Sequence, residues 1–160
     1  AYDKVAKMLK LPYPGGPEVE RLADLGDAKK VILQRPMLHS RDYNFSLSGL
    51  KTAVLYYLRD NPEVTKEDLC AGFQEAVVEV LVKKCGKAIT EFGPASLLVC
   101  GGVAANETIK KALADLASKN DIIFHAPEFK YNTDNAVMIA LAGFMGKKYP
   151  NDKAIGGLGL

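Results

Sequence analysis

Apolar positions recur at helical spacing along most of this chain and give way to short extended runs only between residues 29 and 48 and again in the second half. Val5, Met8 and Leu9 share one face and predict a first helix through Leu11. Pro12-Tyr13-Pro14-Gly15-Gly16-Pro17 reads as a stiff, turn-rich loop, and Pro17 suits the first position of a second helix. That helix runs through Val19, Leu22, Ala23 and Leu25 and stops at Gly26. Val31-Ile32-Leu33 and the alternating Phe45-Ser46-Leu47-Ser48 predict a small hairpin or strand pair. A helix opens at Gly49 and breaks near Asn61-Pro62; Thr65 with Asp68 then resembles a capping box at the head of the longest helix. Leu69, Phe73, Ala76, Val77, Val80, Leu81 and Ile89 are its apolar positions, and Gly93-Pro94 ends it. A strand over 96–100, a helix over about 103–118, a strand at Ile122-Ile123-Phe124 and a last helix from Asp134 to about Met145 complete the pattern.

Helix, strand, helix, strand, helix in that order predicts an α/β lobe with parallel βαβ units and right-handed crossovers. Open α/β sheets bind ligands outside the carboxyl ends of their strands. Gly101-Gly102 follow one such end, and the loop to Asn132-Thr133-Asp134-Asn135 follows the other, so both lie on one rim. The Gly-rich stretch 149–160 reads as a flexible tail. Ala1-Tyr2-Asp3-Lys4 already lies inside a helical pattern without an initiator Met, which predicts a fragment of a longer protein.

Composition narrows the function classes. Nearly half of the 160 residues are apolar, enough for one real core. Basic and acidic side chains stand at 21 against 19, without the net charge of an autonomous nucleic-acid binder; a place beside RNA in a larger assembly stays open. No apolar run approaches a membrane span and no signal-peptide pattern precedes the first helix, while three cysteines without a pairing pattern fit a cytoplasmic setting. Cys70, Cys85 and Cys100 are far apart and read as reduced thiols, the first two on a helix face toward the core. His39 and His125 form no HxxxH or HExxH metal pair.

Four constellations carry candidate chemistry. Asp3 and Glu20 flank Gly15-Gly16; two carboxylates beside a glycine turn either clamp ribose hydroxyls or stand as solvated helix residues. Ser48-Gly49-Leu50-Lys51-Thr52 lacks the spacing of a P-loop, and Lys51 either meets a phosphate or is solvated. Leu97 to Asn106 is an apolar run, a glycine pair and a helix start, a unit that brings bare backbone to a ligand at a helix N-terminus. Asn106, in that first turn, either caps locally or bonds a base or ribose edge. In the last constellation Thr133 or Asp134 caps the final helix, and an Asp there is equally a hard-oxygen metal ligand.

Six blocks in register resemble one family: Tyr2-Asp3-Lys4-Val5-Ala6-Lys7, Tyr13-Pro14-Gly15-Gly16-Pro17-Glu18, Phe45 through Val54, Phe73 through Val78, Gly101 through Asn106, and Thr133-Asp134-Asn135-Ala136. The chain is similar over about residues 1–148 to the tRNA N6-adenosine threonylcarbamoyltransferases, the universal threonylcarbamoyladenosine-synthesis proteins once described as O-sialoglycoprotein endopeptidases, in their bacterial form. The resemblance implies an actin-like fold of the sugar kinase, heat-shock ATPase and ribonuclease H-like class, with residues 1–148 as the carboxy-terminal of two lobes. It implies transfer of threonylcarbamoyl from threonylcarbamoyl-AMP to N6 of adenosine 37 in tRNAs that read codons starting with A. Asp3, Gly16, Gly101, Gly102 and Asn106 fall on substrate or nucleotide positions, and Glu20 on one used in the archaeal and eukaryotic branch. Asp134 falls on a ligand to iron, with zinc as the alternative, whose other ligands belong to an amino-terminal half outside this sequence. Implied partners are tRNA, the adenylate or an ATP-like nucleotide, a paralogous subunit and a small ATPase, without a membrane. The fragment alone is expected to be inactive. Three rivals stand beside this reading: a noncatalytic nucleotide-binding or docking module, a metalloendopeptidase, and an ordinary sugar kinase or ATPase.

Overall fold

The computed structural model of the chain describes residues 1–132 and 135–146. Its organising element is the longest helix, α4 (Lys66–Phe92). Thr65 caps it, the hydroxyl accepting the Asp68 N–H at 3.2 Å, and Gly93 closes it in the left-handed conformation at φ 54°. The capping box is only half made. The Asp68 carboxylate turns instead to the Asp27 N–H at 2.8 Å and the Lys30 ammonium at 3.2 Å, fastening a distant loop to the helix head. These bonds hold its carboxyl below the usual range, the Asp27 N–H being the largest cause.

Around α4 pack α1 (Tyr2–Met8), α2 (Gly15–Ala23), α3 (Leu47–Asp60) and α5 (Glu107–Lys119). Phe73, Leu69, Val77 and Val80 are fully enclosed, together with Val5, Val19, Leu50, Val54 and Ile109 from the surrounding helices. Each such burial stabilises by roughly 1.5–3 kcal/mol, which makes α4 the spine of the core. Cys70 lies in the same interior, and burial pushes its thiol up to about 12. Cys85 is half-buried on the same helix, and the described cysteines are free thiols.

Strands β1 (Ser96–Leu98) and β2 (Ile123–His125) pair in parallel, Leu97 opposite Phe124, with α5 between them in sequence. This is an α/β arrangement with one βαβ unit among the described residues, where the sequence pattern predicts several. Leu97 and Phe124 face the core, whereas Leu98 and Ile123 are largely exposed on the opposite face. The last helix, α6 (Ala136–Met145), is apolar throughout and buries no residue; Asn135 caps it by accepting the Met138 N–H at 2.8 Å. The expected cap is Thr133 or Asp134; the observed cap is Asn135 instead, and both expected residues lie outside the described residues, as do residues 149–160.

Three further expectations are corrected. The second helix starts at Gly15, so Pro17 is its third residue, harmless because the first N–H groups of a helix have no intrahelical partner. Residues 29–48 contain no strand. A 3-10 turn over Ala28–Lys30 leads into an extended segment lying on α4, with Val31 and Leu33 buried and Ile32 outward, and Ser46 is the N-cap of α3 rather than part of a strand. The predicted helix at 103 is a 3-10 turn, Gly102–Ala105, followed by α5.

The extended segment approaches α4 where Gly72 leaves room: a Cβ there would stand 2.6 Å from the Val31 carbonyl oxygen. Gly72→Ala is expected to destabilise by about 1–3 kcal/mol through this overlap, although alanine is the better helix former. Urea denaturation checks the sign; a gain in stability would show that the segment yields freely.

Candidate functional site

Asp3 sits in the first turn of α1, and its Oδ1 accepts the Gly15 N–H at 2.9 Å, tying α1 to the start of α2. The two glycines there do different work. A Cβ on Gly15 would lie 2.4 Å from the Ala6 Cβ, so the helices touch at that point. A Cβ on Gly16 would meet nothing within 4 Å, because Gly16 faces open space.

Glu20, one turn further along α2, reaches the head of α5. Its Oε1 accepts the Glu107 N–H at 2.8 Å and the Thr108 N–H at 3.4 Å. Asn106 is the N-cap of α5, its Oδ1 accepting the Ile109 N–H at 2.9 Å while its Nδ2 donates to Gln74 Oε1 at 3.0 Å. Gln74, buried on α4, donates in turn to Thr108 Oγ1 at 3.2 Å. The first three N–H groups of α5 are therefore taken by protein side chains, and a carboxylate already occupies the positive end of the helix dipole. The expectation that this helix offers its bare N-terminus to a ligand is corrected. Bare backbone is offered one turn earlier. Gly101 has φ 91° and ψ 178°, a conformation reserved for glycine, and it opens the 3-10 turn that carries Gly102 and Val103.

These residues converge. A cavity of about 470 Å³ is lined by Tyr2, Asp3, Gly16, Glu20, Gly102 and Asn106, among others, with Phe129 from the turn after β2 as a wall. The exits of β1 and β2 thus open onto one space with α1 and α2. The volume suits a nucleotide-sized molecule, and apolar walls with a few polar groups are the usual make-up of such sites. Five sequence-derived candidates line it, and Gly101 adjoins it. Asp134 lies outside the described residues. Lys51 is elsewhere, in a small recess beside Lys4 and Ser48. Tyr2 also lines the cavity and is not among the sequence-derived site candidates. Its ring packs edge-on against Phe73 at 5.0 Å, and its hydroxyl is buried without a hydrogen-bond partner. Burial, with the nearby Glu20 carboxylate, pushes the phenol well above its ordinary range, so it stays protonated.

Among the described residues no three His, Cys, Asp or Glu side chains stand together as a metal site. No described helix is long and apolar enough to cross a membrane.

A family model described as tRNA N6-adenosine threonylcarbamoyltransferase matches residues 1–141. The chain belongs to this family. Three curated relatives bear the same name, and of these the protein of Thermosipho africanus is 49% identical over 146 residues, covering 90% of this chain and 44% of the relative. The Chromobacterium violaceum protein is 47% identical over 156 residues, 93% of this chain and 46% of its own length. That of Paraburkholderia xenovorans is 49% identical over 148 residues, 89% and 43% respectively. The chain therefore spans less than half the length of these threonylcarbamoyltransferases.

Proposed function

We propose that residues 1–148 are the carboxy-terminal lobe of an actin-like, two-lobed threonylcarbamoyltransferase and that the cavity between α1, α2 and the strand exits holds the adenylate part of threonylcarbamoyl-AMP. The observation that carries this reading is the meeting of Asp3, Gly16, Glu20, Gly102 and Asn106, drawn from three separate stretches of sequence, around one nucleotide-sized space. The two-lobed architecture is supported by the apolar surface left open: α6 buries nothing, and the outer face of the parallel pair exposes Leu98 and Ile123. Parallel sheets are ordinarily covered on both faces.

Each group has a chemical task. The Asp3 carboxylate spends one oxygen on Gly15, and Oδ2 accepts ribose hydroxyls. The glycine turn at 101–102 lets backbone N–H groups approach the phosphate without a side chain between them. Asn106 has one N–H and one lone pair left for a ribose or base edge after its internal bonds. Transfer itself joins the N6 amine of adenosine 37 to the carbamoyl carbon. The bond from that carbon to the phosphate oxygen breaks, AMP leaves with the electron pair, and N6 loses a proton. No described side chain is a nucleophile in this scheme, and the lobe contributes positioning. The family reading includes one divalent metal, iron or zinc, with Asp134 as this chain's ligand. The described residues do not form such a site by themselves, and the lobe alone is inactive in this account. tRNA, a paralogous subunit, a small ATPase and a cytoplasmic setting belong to the same proposal.

The test uses the full-length protein with its partners, tRNA and threonylcarbamoyl-AMP, reading modified adenosine 37. Asp3→Asn keeps an oxygen for Gly15 but removes the charge, and is expected to raise KM for the adenylate about tenfold, the value of one charge-assisted hydrogen bond. An unchanged KM would remove Asp3 from the site.

A further inference from the structure

The near balance of charge along the chain conceals one uneven surface. The segment 38–44 lies against the carboxy-terminal half of α4, and the two enclose a groove of about 370 Å³ lined by the cations Arg41, Lys83, Lys84 and Lys87 and by His39. Lys84 is the structural member. Its side chain is 4% exposed, and its ammonium donates to the Ser40 carbonyl at 3.2 Å, the Ser40 hydroxyl at 2.7 Å and the Asp42 carbonyl at 3.0 Å. The Asp42 carboxylate stands 3.6 Å away and balances that charge. Those contacts clamp the segment onto the helix.

The other cations are in surplus. Among the described residues Arg41, Lys83 and Lys87 have no ion-pair partner, and the nearby Glu79 is occupied by Arg35 at 2.6 Å. Lys83 stands 3.3 Å from His39 Nδ1, and Lys87 donates to the Arg41 carbonyl while its ammonium sits 4.8 Å from the centre of the Tyr43 ring. Lys83 and Lys87 are neighbours one turn apart on α4, so two like charges share a face with a third from the segment. The one acid further along this row is Glu91, a turn beyond Lys87. Such crowding is unfavourable in an isolated surface and favourable against a polyanion. Phe92, 67% exposed and packed on Tyr43 at 5.3 Å, adds an aromatic face at the end of the row. Cations in a line with an accessible ring match a nucleic-acid strand, phosphates on one side and a base to stack on the other, better than an acidic protein surface.

We propose that this groove binds the phosphate backbone of the substrate tRNA at a point away from the adenosine being modified. The inference rests on the tRNA reading above and extends it to a second contact. Gln74, which bonds Asn106 at the cavity, and Lys84 are ten residues apart on the same helix, about 15 Å along its axis. By helical geometry Lys83 and Lys87 project from the side of α4 away from Gln74, so the groove meets a stretch of the tRNA separate from the target base.

The test compares full-length wild-type protein with the triple variant Arg41→Ala, Lys83→Ala, Lys87→Ala, leaving Lys84 and its clamp intact. Affinity for the substrate tRNA transcript is measured across a salt series, and affinity for an adenylate analogue is measured alongside. The variant is expected to bind tRNA at least tenfold more weakly. Its slope of log affinity against log salt should be shallower by about 2–3, the sum of three lost phosphate contacts, with adenylate affinity unchanged. Lys83→Arg with Lys87→Arg should retain wild-type binding. Equal tRNA affinity and slope in the triple variant, with wild type binding normally, would overturn the groove proposal alone. Wild-type protein that does not bind tRNA at all would overturn the underlying reading as well.

Discussion

Asn106→Ala lowers the stability of the protein by about 2–4 kcal/mol, whereas Asn106→Asp costs less than about 1 kcal/mol. Alanine removes the N-cap of α5, a loss of about 1 kcal/mol, and leaves the buried Gln74 amide oxygen without a donor, a further 1–3 kcal/mol. Aspartate keeps the cap oxygen for the Ile109 N–H and adds a negative charge at a helix head, where it is favoured. Gln74 can then rotate its amide by half a turn, donating to the new carboxylate and accepting from the Thr108 hydroxyl, so that neither partner is orphaned. Urea midpoints of the two variants separate these terms. An alanine variant as stable as wild type would mean that the network linking α4 to α5 does not carry the junction beneath the cavity.

The parts of the fold with local signals were legible. Thr65 and Asp68 mark the head of α4 and Gly93-Pro94 its end, and the structure places the helix between them. The strand, glycine turn and helix around Gly101-Gly102 were legible too, although the turn is tighter and α5 starts at Glu107. What failed was the covering of backbone. Val31-Ile32-Leu33 alternates as a strand would, and exposure of 1%, 78% and 2% follows that alternation. Alternation says which side chains turn inward, not whether another strand lies alongside; here α4 takes the inward side chains. Phe45 to Ser48 alternated for an unrelated reason, since Ser46 is a cap and Leu47 begins a helix.

At the candidate site the same division holds. Asp3, Gly16 and Gly102 sit beside turns and could be singled out from sequence. The bond from Glu20 to the head of α5 joins residues 87 positions apart, and nothing near Glu20 announces it. Tyr2 carries no local signal of a site role: its ring packs on Phe73, and only the fold buries its hydroxyl beside the cavity. The basic groove was invisible because Arg41 and the lysines of α4 meet only after the segment folds back, and the total charge of the chain averages them away.

Gly16→Leu weakens adenylate binding at least about a hundredfold in a protein that still folds. Gly16 is the second residue of α2, its backbone does not require glycine, and a Cβ there meets nothing within 4 Å. Leucine is the better helix former by about 1 kcal/mol, and the crowding that a Cβ meets in a helical residue before Pro17 opposes that gain, so the protein is expected to fold with stability within about 1–2 kcal/mol of wild type. Its side chain extends from the wall into the space bounded by Asp3, Glu20 and Asn106, and a ligand that buries itself there must be displaced. The neighbouring position behaves oppositely: Gly15 has the Ala6 Cβ at 2.4 Å, so even a methyl group there strains the contact between α1 and α2. The deciding measurement is calorimetric titration of the full-length protein, wild type and Gly16→Leu, with a stable analogue of threonylcarbamoyl-AMP. The account predicts that the variant still unfolds in one cooperative transition and binds the analogue at least about a hundredfold more weakly, a loss of roughly 2.8 kcal/mol. Wild-type affinity in a folded Gly16→Leu protein would contradict it, and the adenylate would have to sit elsewhere.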